Sequence, residues 1–163
     1  MCGIAGYWGS GSREILTEMG NSLTHRGPDD GGVFEFGNVG LAHRRLSIVD
    51  LSPTGHQPMS NNDESVTLVF NGEIYNYKEL KSEFLQSYTF TGSSDTEVLL
   101  HLYEELGELF LEKVQGMFAI ALYDKKKGTL LLARDHLGKK PLFWTLNNGT
   151  CIFGSELKAL RVH

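Results

Sequence analysis

Apolar residues in this chain fall in short runs punctuated by glycine and asparagine, a pattern that predicts strands around a helical middle. Cys2 to Trp8 reads as a strand of small and apolar residues closed by Gly9-Ser10-Gly11. Ile15, Leu16, Met19 and Leu23 then recur at helical spacing behind Ser12, a residue suited to an N-cap. Thr24 to Gly32 is a loop by composition, and Val33–Phe36 and Val39–Leu46 flank Gly37-Asn38 as a hairpin. A second long loop spans Ser52 to Asn62, and Val66 to Phe70 is a strand that runs into Asn71-Gly72-Glu73. Asn76 with Glu79 and Ser94 with Glu97 have the spacing of capping boxes. The second opens a helix with an apolar stripe of Val98, Leu99, Leu102, Tyr103 and Leu106, ended by Gly107 and followed by a helical turn through Leu109, Phe110 and Val114. Met117–Tyr123 and Leu130–Ala133 are continuous apolar runs on either side of an Asp124–Gly128 turn, the pattern of strands covered on both faces. Leu142–Leu146 and Thr150–Phe153 make a last hairpin before a short helix from Ser155 to Leu160. Hairpins around a helical block imply antiparallel sheets covered by helices, an α+β fold rather than a doubly wound one.

Length and composition narrow this picture. One domain is expected of 163 residues with 40% hydrophobic content, and 19 glycines exceed the usual share of about 7%, in keeping with a turn-rich sheet protein. The net charge of −5 removes the electrostatic case for nucleic acid or an anionic membrane as partner. No run of about 18 apolar residues offers a membrane span. Cys2 and Cys151 are too few for a disulfide framework, so a reducing cytoplasm is the expected compartment. The N-terminus lacks the features of a secretory signal, and the one processing step expected there is loss of Met1.

That step bears on chemistry. The six histidines are scattered, with no His-x-x-x-His pair or Cys/His cluster, so no metal site is expected. Thr91 to Thr96 opens a helix but lacks the lysine of a phosphate loop, and no Gly-x-Ser-x-Gly elbow occurs. Cys2 stands out by position. Met followed by a small residue favours removal of Met1, which leaves a thiol and a free α-amine on one residue; with a reference pKa of about 7.7–8.0 that amine is a base at neutral pH. Position alone leaves two readings open, a small hydrophobe in a buried strand or a nucleophile. A nucleophile attacking an acyl group needs oxyanion donors, and the Asn71 amide with the Gly72 N–H qualifies, although Asn-Gly is also a common turn. Arg44 or Arg45 and Asp95 have the charges to hold the carboxylate and ammonium of an amino acid.

Together these segments resemble the class II glutamine amidotransferase domain, an N-terminal nucleophile hydrolase, and in particular the glutaminase domain of glutamine-dependent asparagine synthetases. The resemblance spans nearly the whole chain. It is carried by Met1-Cys2-Gly3-Ile4-Ala5-Gly6, His25-Arg26-Gly27-Pro28-Asp29, Leu41 to Asp50, Gly55-His56-Gln57-Pro58, Asn71 to Asn76, Ser94-Asp95-Thr96-Glu97, Gly116-Met117-Phe118-Ala119, and Arg134 to Gly138 with Lys140-Pro141-Leu142. The resemblance implies a four-layer αββα sandwich. It makes Cys2 the nucleophile and Asn71 with Gly72 the oxyanion hole, with Arg45 as the clamp for the glutamine α-carboxylate. Asp95 and Glu73, with backbone groups of Ile48 and Val49, would hold the α-ammonium.

The implied reaction is hydrolysis of L-glutamine to glutamate and ammonia through a Cys2 thioester, with the ammonia passed to an ATP-dependent synthetase part. That part has a Ser-Gly-Gly-x-Asp pyrophosphate loop, which does not occur here, so ATP and Mg are expected only outside this domain. Residues 1–163 are expected to be the glutaminase domain, stopping soon after Ser155–Leu160 and short of the family's usual C-terminal limit. Two other functions remain in view: the same half-reaction serving a sugar or cell-envelope acceptor, and a regulatory module that keeps the fold without turnover.

Overall fold

In the computed structural model, residues 1–47 and 53–163 are described. Nine strands and four α-helices follow in the order β1 (Gly3–Trp8), α1 (Arg13–Asn21), β2 (Asp30–Phe36), β3 (Val39–Arg45), β4 (Met59–Ser60), β5 (Val66–Ile74), α2 (Tyr77–Phe84), α3 (Asp95–Leu106), β6 (Gly116–Asp124), β7 (Thr129–Arg134), β8 (Phe143–Asn147), β9 (Thr150–Gly154) and α4 (Leu157–Val162). Two antiparallel sheets result. One runs β2-β3-β1-β9-β8 and the other β4-β5-β6-β7.

Three apolar clusters lie between four layers. Ile4, Val39, Leu41, Val69, Ala119, Ala121 and Phe153 fill the space between the sheets. Leu16 and Met19 of α1 and Ala159 of α4 pack with Ala5, Tyr7, Ala42 and Ile152 on the outer face of the first sheet. On the outer face of the second, Leu68, Phe70, Ile120 and Leu122 meet Leu80 of α2 and Leu99 and Leu102 of α3. The order is therefore αββα, the layering implied by the resemblance. The continuous run in β6 serves both faces by strict alternation, with Ala119 and Ala121 inward and Ile120 and Leu122 toward the helices. Its neighbour β7 is only half-buried, because it forms an edge of its sheet.

Local signals held unevenly. The Ser12 side chain accepts from Ile15 N at 3.3 Å, and Ser94 accepts from Glu97 N at 3.2 Å. Asn76 makes no cap hydrogen bond to its helix. Its side chain instead donates to Lys113 O and accepts from Gln115 N, both at 2.9 Å, and so ties the start of α2 to the start of β6. Three strand limits also differ from the pattern. The second strand starts at Asp30 because Gly31 and Gly32 pair with Arg44 and His43. A two-residue strand, Met59–Ser60, sits inside the expected Ser52–Asn62 loop and pairs with Leu68 and Thr67. The fifth strand carries on through Asn71-Gly72-Glu73 to Ile74, paired with β6 throughout. Asn71-Gly72 is thus strand and not turn.

Candidate active site

The sandwich places the expected residues at one end. Cys2 immediately precedes β1, the central strand of the first sheet. Its thiol donates to Leu46 O at 3.6 Å and accepts from Leu46 N at 3.4 Å, just beyond the end of β3. Arg26 fixes the residue from behind, its Nε donating to Cys2 O at 2.9 Å while Nη1 pairs with Glu156 at 3.0 Å. The two neighbouring arginines are separated by strand alternation. Arg44 turns to the helix side and binds Gly20 O and the Asn21 side chain. Arg45 is buried, lines the cleft, and lies so close over Gly55 that a Cβ there would run into its guanidinium.

The opposite wall is β5 and the start of α3. Asn71 follows Val69 on the inter-sheet face and is 1% exposed, yet its Nδ2 is a buried donor without a hydrogen-bond partner. An unpaired buried donor costs about 1–3 kcal/mol, and such a cost is tolerated where a ligand atom completes the bond. The backbone beside it points the same way. Phe70 N donates to Gln57 Oε1 at 2.6 Å and Ile74 N to Asp95 Oδ2 at 3.0 Å, both across the edge of β5 away from β6. The two-residue alternation of a strand therefore puts the Gly72 N–H on that same edge, facing the cleft. Gly72 has to be glycine because a Cβ would strike Met117 O and come within 2.8 Å of Phe118 Cα. Backbone cannot yield as a side-chain tip does, so Gly72→Ala is expected to cost on the order of 3 kcal/mol, read from the shift in a denaturant unfolding midpoint.

Asp95 stands first in α3 and is 5% exposed. Burial pushes its carboxyl above the usual carboxylate range, hydrogen bonds from Ile74 N and Thr96 N oppose that, and the nearby Glu73 charge adds to the rise. Two carboxylates that repel each other at a cleft wall favour a cation between them. Cys2, Arg45, Asn71, Gly72, Glu73 and Asp95 all line one cavity of about 90 Å³. Ile48 and Val49 lie outside the described residues. Among those described, no group of three or more His, Cys, Asp or Glu side chains is placed to hold a metal ion.

The structure adds lining residues to which the pattern assigned no role: Gln57, Thr96, Met117, Lys140 and Met1. Gln57 also bridges the far wall, since its Nε2 donates to Thr96 Oγ1 at 3.2 Å while its Oε1 holds Phe70 N. Behind β5, His43 is buried and its Nε2 lies 3.1 Å from Phe70 O. Burial lowers its pKa to about 3, so it is neutral and donates from Nε2.

A cysteine at the start of the chain, set at the end of an antiparallel αββα sandwich, is the arrangement of the N-terminal nucleophile hydrolases. The fold agrees with solved structures of that class. Glutamine phosphoribosylpyrophosphate amidotransferase from B. subtilis superimposes with a TM-score of 0.83 at 26% identity, over 99% of this chain and 43% of that one. The chain belongs to the glutamine amidotransferase domain family, which matches residues 1–163. It is 46% identical over its full length to asparagine synthetase [glutamine-hydrolyzing] 2 of Bacillus subtilis, of which it covers 22%. It is also 46% identical, over 91% of its length, to asparagine synthetase B [glutamine-hydrolyzing] of Escherichia coli, of which it covers 27%. The chain thus spans about a quarter of the length of these relatives.

Proposed function

We propose that this domain hydrolyses L-glutamine to glutamate and ammonia and supplies the ammonia to an ATP-dependent synthetase part that forms asparagine. The observation that carries this reading is the unpartnered Asn71 Nδ2, buried in the same cleft as the Cys2 thiol. The names of the relatives support the choice of glutamine and of asparagine synthesis.

After hydrolysis of the Met1–Cys2 peptide bond, the Cys2 α-amine takes the thiol proton and Sγ bonds to the carboxamide carbon of glutamine. The oxyanion forms between Asn71 Nδ2 and Gly72 N. The α-ammonium returns its proton to the departing nitrogen, the C–N bond breaks, and ammonia leaves a γ-glutamyl thioester. Water then attacks the thioester as the same amine removes its proton, which releases glutamate and restores the thiol. Arg45 holds the α-carboxylate through a charge-assisted pair, and Asp95 with Glu73 holds the α-ammonium. No step in this sequence calls for a metal or a nucleotide. ATP and Mg belong to the synthetase part, which in this reading lies outside residues 1–163, as a further domain or a separate subunit. The compartment proposed is the cytoplasm, and no described helix is long and apolar enough to cross a membrane.

A diazoketone analogue of glutamine tests this. It is expected to attach at one equivalent per chain, to the sulfur of a peptide that begins at Cys2, and to stop hydrolysis in step with labelling. Active protein that retains Met1, or a folded protein that takes no label, overturns the reading and favours a non-catalytic module.

A further inference from the structure

One charged group in the cleft has no part in the scheme above. Lys140 is 7% exposed, on the loop between β7 and β8. The loop is pinned by Asp135, whose carboxylate accepts from Phe118 N at 3.1 Å, Leu137 N at 3.2 Å, Lys139 N at 2.9 Å and Lys140 N at 3.0 Å. The ammonium at the end of this rigid base lines the cleft with Cys2. Its side-chain partner is the Met1 thioether, 3.4 Å from Nζ, and it enters none of the ion pairs among the described residues. A thioether is a weak acceptor, so a buried ammonium set against one is poorly compensated.

Loss of Met1 would remove that partner and create a second cation, the Cys2 α-ammonium, in the same cleft. Two like charges in one cleft disfavour each other's protonated form. The group with the weaker hold gives way, and an α-amine, near 7.7–8.0 in reference peptides, yields before a lysine, near 10.4. We propose that Lys140 is a positioning residue for the N-terminal base: its ammonium keeps the Cys2 α-amine unprotonated and so able to take the thiol proton. The proposal rests on the glutaminase reading.

The other charged groups around the terminus do not replace it. Arg26, behind Cys2, is paired with Glu156. Of the other charged side chains lining the cleft among the described residues, Arg45 comes from β3, Glu73 from β5 and Asp95 from α3. Bound glutamine pairs its carboxylate with Arg45 and its single ammonium with Glu73 and Asp95, which leaves one net negative charge on those two acids. Among the described residues, Lys140 is then the cation lining the cleft beside Cys2 that bound glutamine does not pair.

The experiment compares processed parent protein with Lys140→Met and Lys140→Arg. The pH profile of kcat/KM for glutamine is expected to show its acid limb moved up by about one unit in Lys140→Met, an effect of the size one like charge produces. Activity then falls about fivefold at pH 7, up to about tenfold further down the acid limb, and returns toward the parent value at pH 9, whereas Lys140→Arg keeps the parent limb. Independently of turnover, the Cys2 α-amine is titrated by NMR in protein labelled with ¹⁵N at cysteine, with circular dichroism to confirm the fold. A higher amine pKa in Lys140→Met supports the proposal even if glutamine is not the substrate. An unchanged amine pKa overturns it, as does a raised KM with an unmoved acid limb, which would make Lys140 a substrate contact. Parent protein that fails to hydrolyse glutamine overturns the glutaminase reading alone.

Discussion

The Cys2→Ala variant is expected to hydrolyse no glutamine above background while still binding it, and Asn71→Ala to keep its nucleophile but lose about 10²–10³ in kcat, or about 2.7–4 kcal/mol of transition-state stabilisation. The two differ because they remove different things. Without Cys2 there is no sulfur to form the thioester, whereas Arg45, Glu73 and Asp95 still line the cleft, so a thermal shift with added glutamine persists. Without the Asn71 amide the thioester forms with the Gly72 N–H alone on the oxyanion. Because Nδ2 has no partner in the unliganded protein, its loss strands no other group, and Asn71→Ala is expected to fold normally with little change in KM. A large loss of stability in Asn71→Ala, or an unaltered kcat, would remove the oxyanion hole from the mechanism.

The second large effect is acid destabilisation through His43. Its pKa of about 3 in the folded protein lies well below the 6.5 expected unfolded. Between those values the unfolded chain binds the proton and the folded chain does not. Stability is therefore complete above pH 6.5 and falls as pH drops toward 3, at up to about 1.4 kcal/mol per unit and about 5 kcal/mol in all. Carboxylates with lowered pKa, such as Glu156, held at about 2 against the pull of burial by bonds from Arg26, His25 and Lys158, lose their contribution only below about 4.5. Between pH 4.5 and 6.5 the fall in stability with falling pH is thus assigned to His43, opposed by Asp95, whose carboxyl burial raises. His43→Gln, which preserves a donor for Phe70 O, is expected to flatten that interval. A parent protein equally stable at both ends would exclude a neutral His43 as the cause.

Much of this was legible in the sequence where the signal is local. Ser12 and Ser94 cap their helices because a hydroxyl reaches N–H groups three residues on, whatever the rest of the chain does. Asn76 had the same spacing, but its amide found Lys113 and Gln115, residues brought near only by the fold. Asn71-Gly72 showed both a turn and an oxyanion pair, and tertiary context decided for strand because β6 supplies a full ladder of partners. Six of the expected site residues came from short motifs and meet in one cavity. Gln57 and Lys140 lay inside such motifs too, but their contacts are with Phe70, Thr96 and Met1, and no periodicity announces a partner so far along the chain. The choice between Arg44 and Arg45 needed the faces of β3, which adjacent positions necessarily split.

The place of β1 has a consequence for how the protein is made. This strand precedes every other described element, yet it is the middle of its sheet, and Ala5 must await Gly154 on β9 to complete its pairing. Until then one edge of the N-terminal segment stays open, and pairing over so great a sequence distance is slow. The removal of Met1 that the proposed reaction needs would have its opportunity at that stage, before the first sheet is complete. On the proposed mechanism, assembly order as well as chemistry would favour Cys2 as the place for a nucleophile.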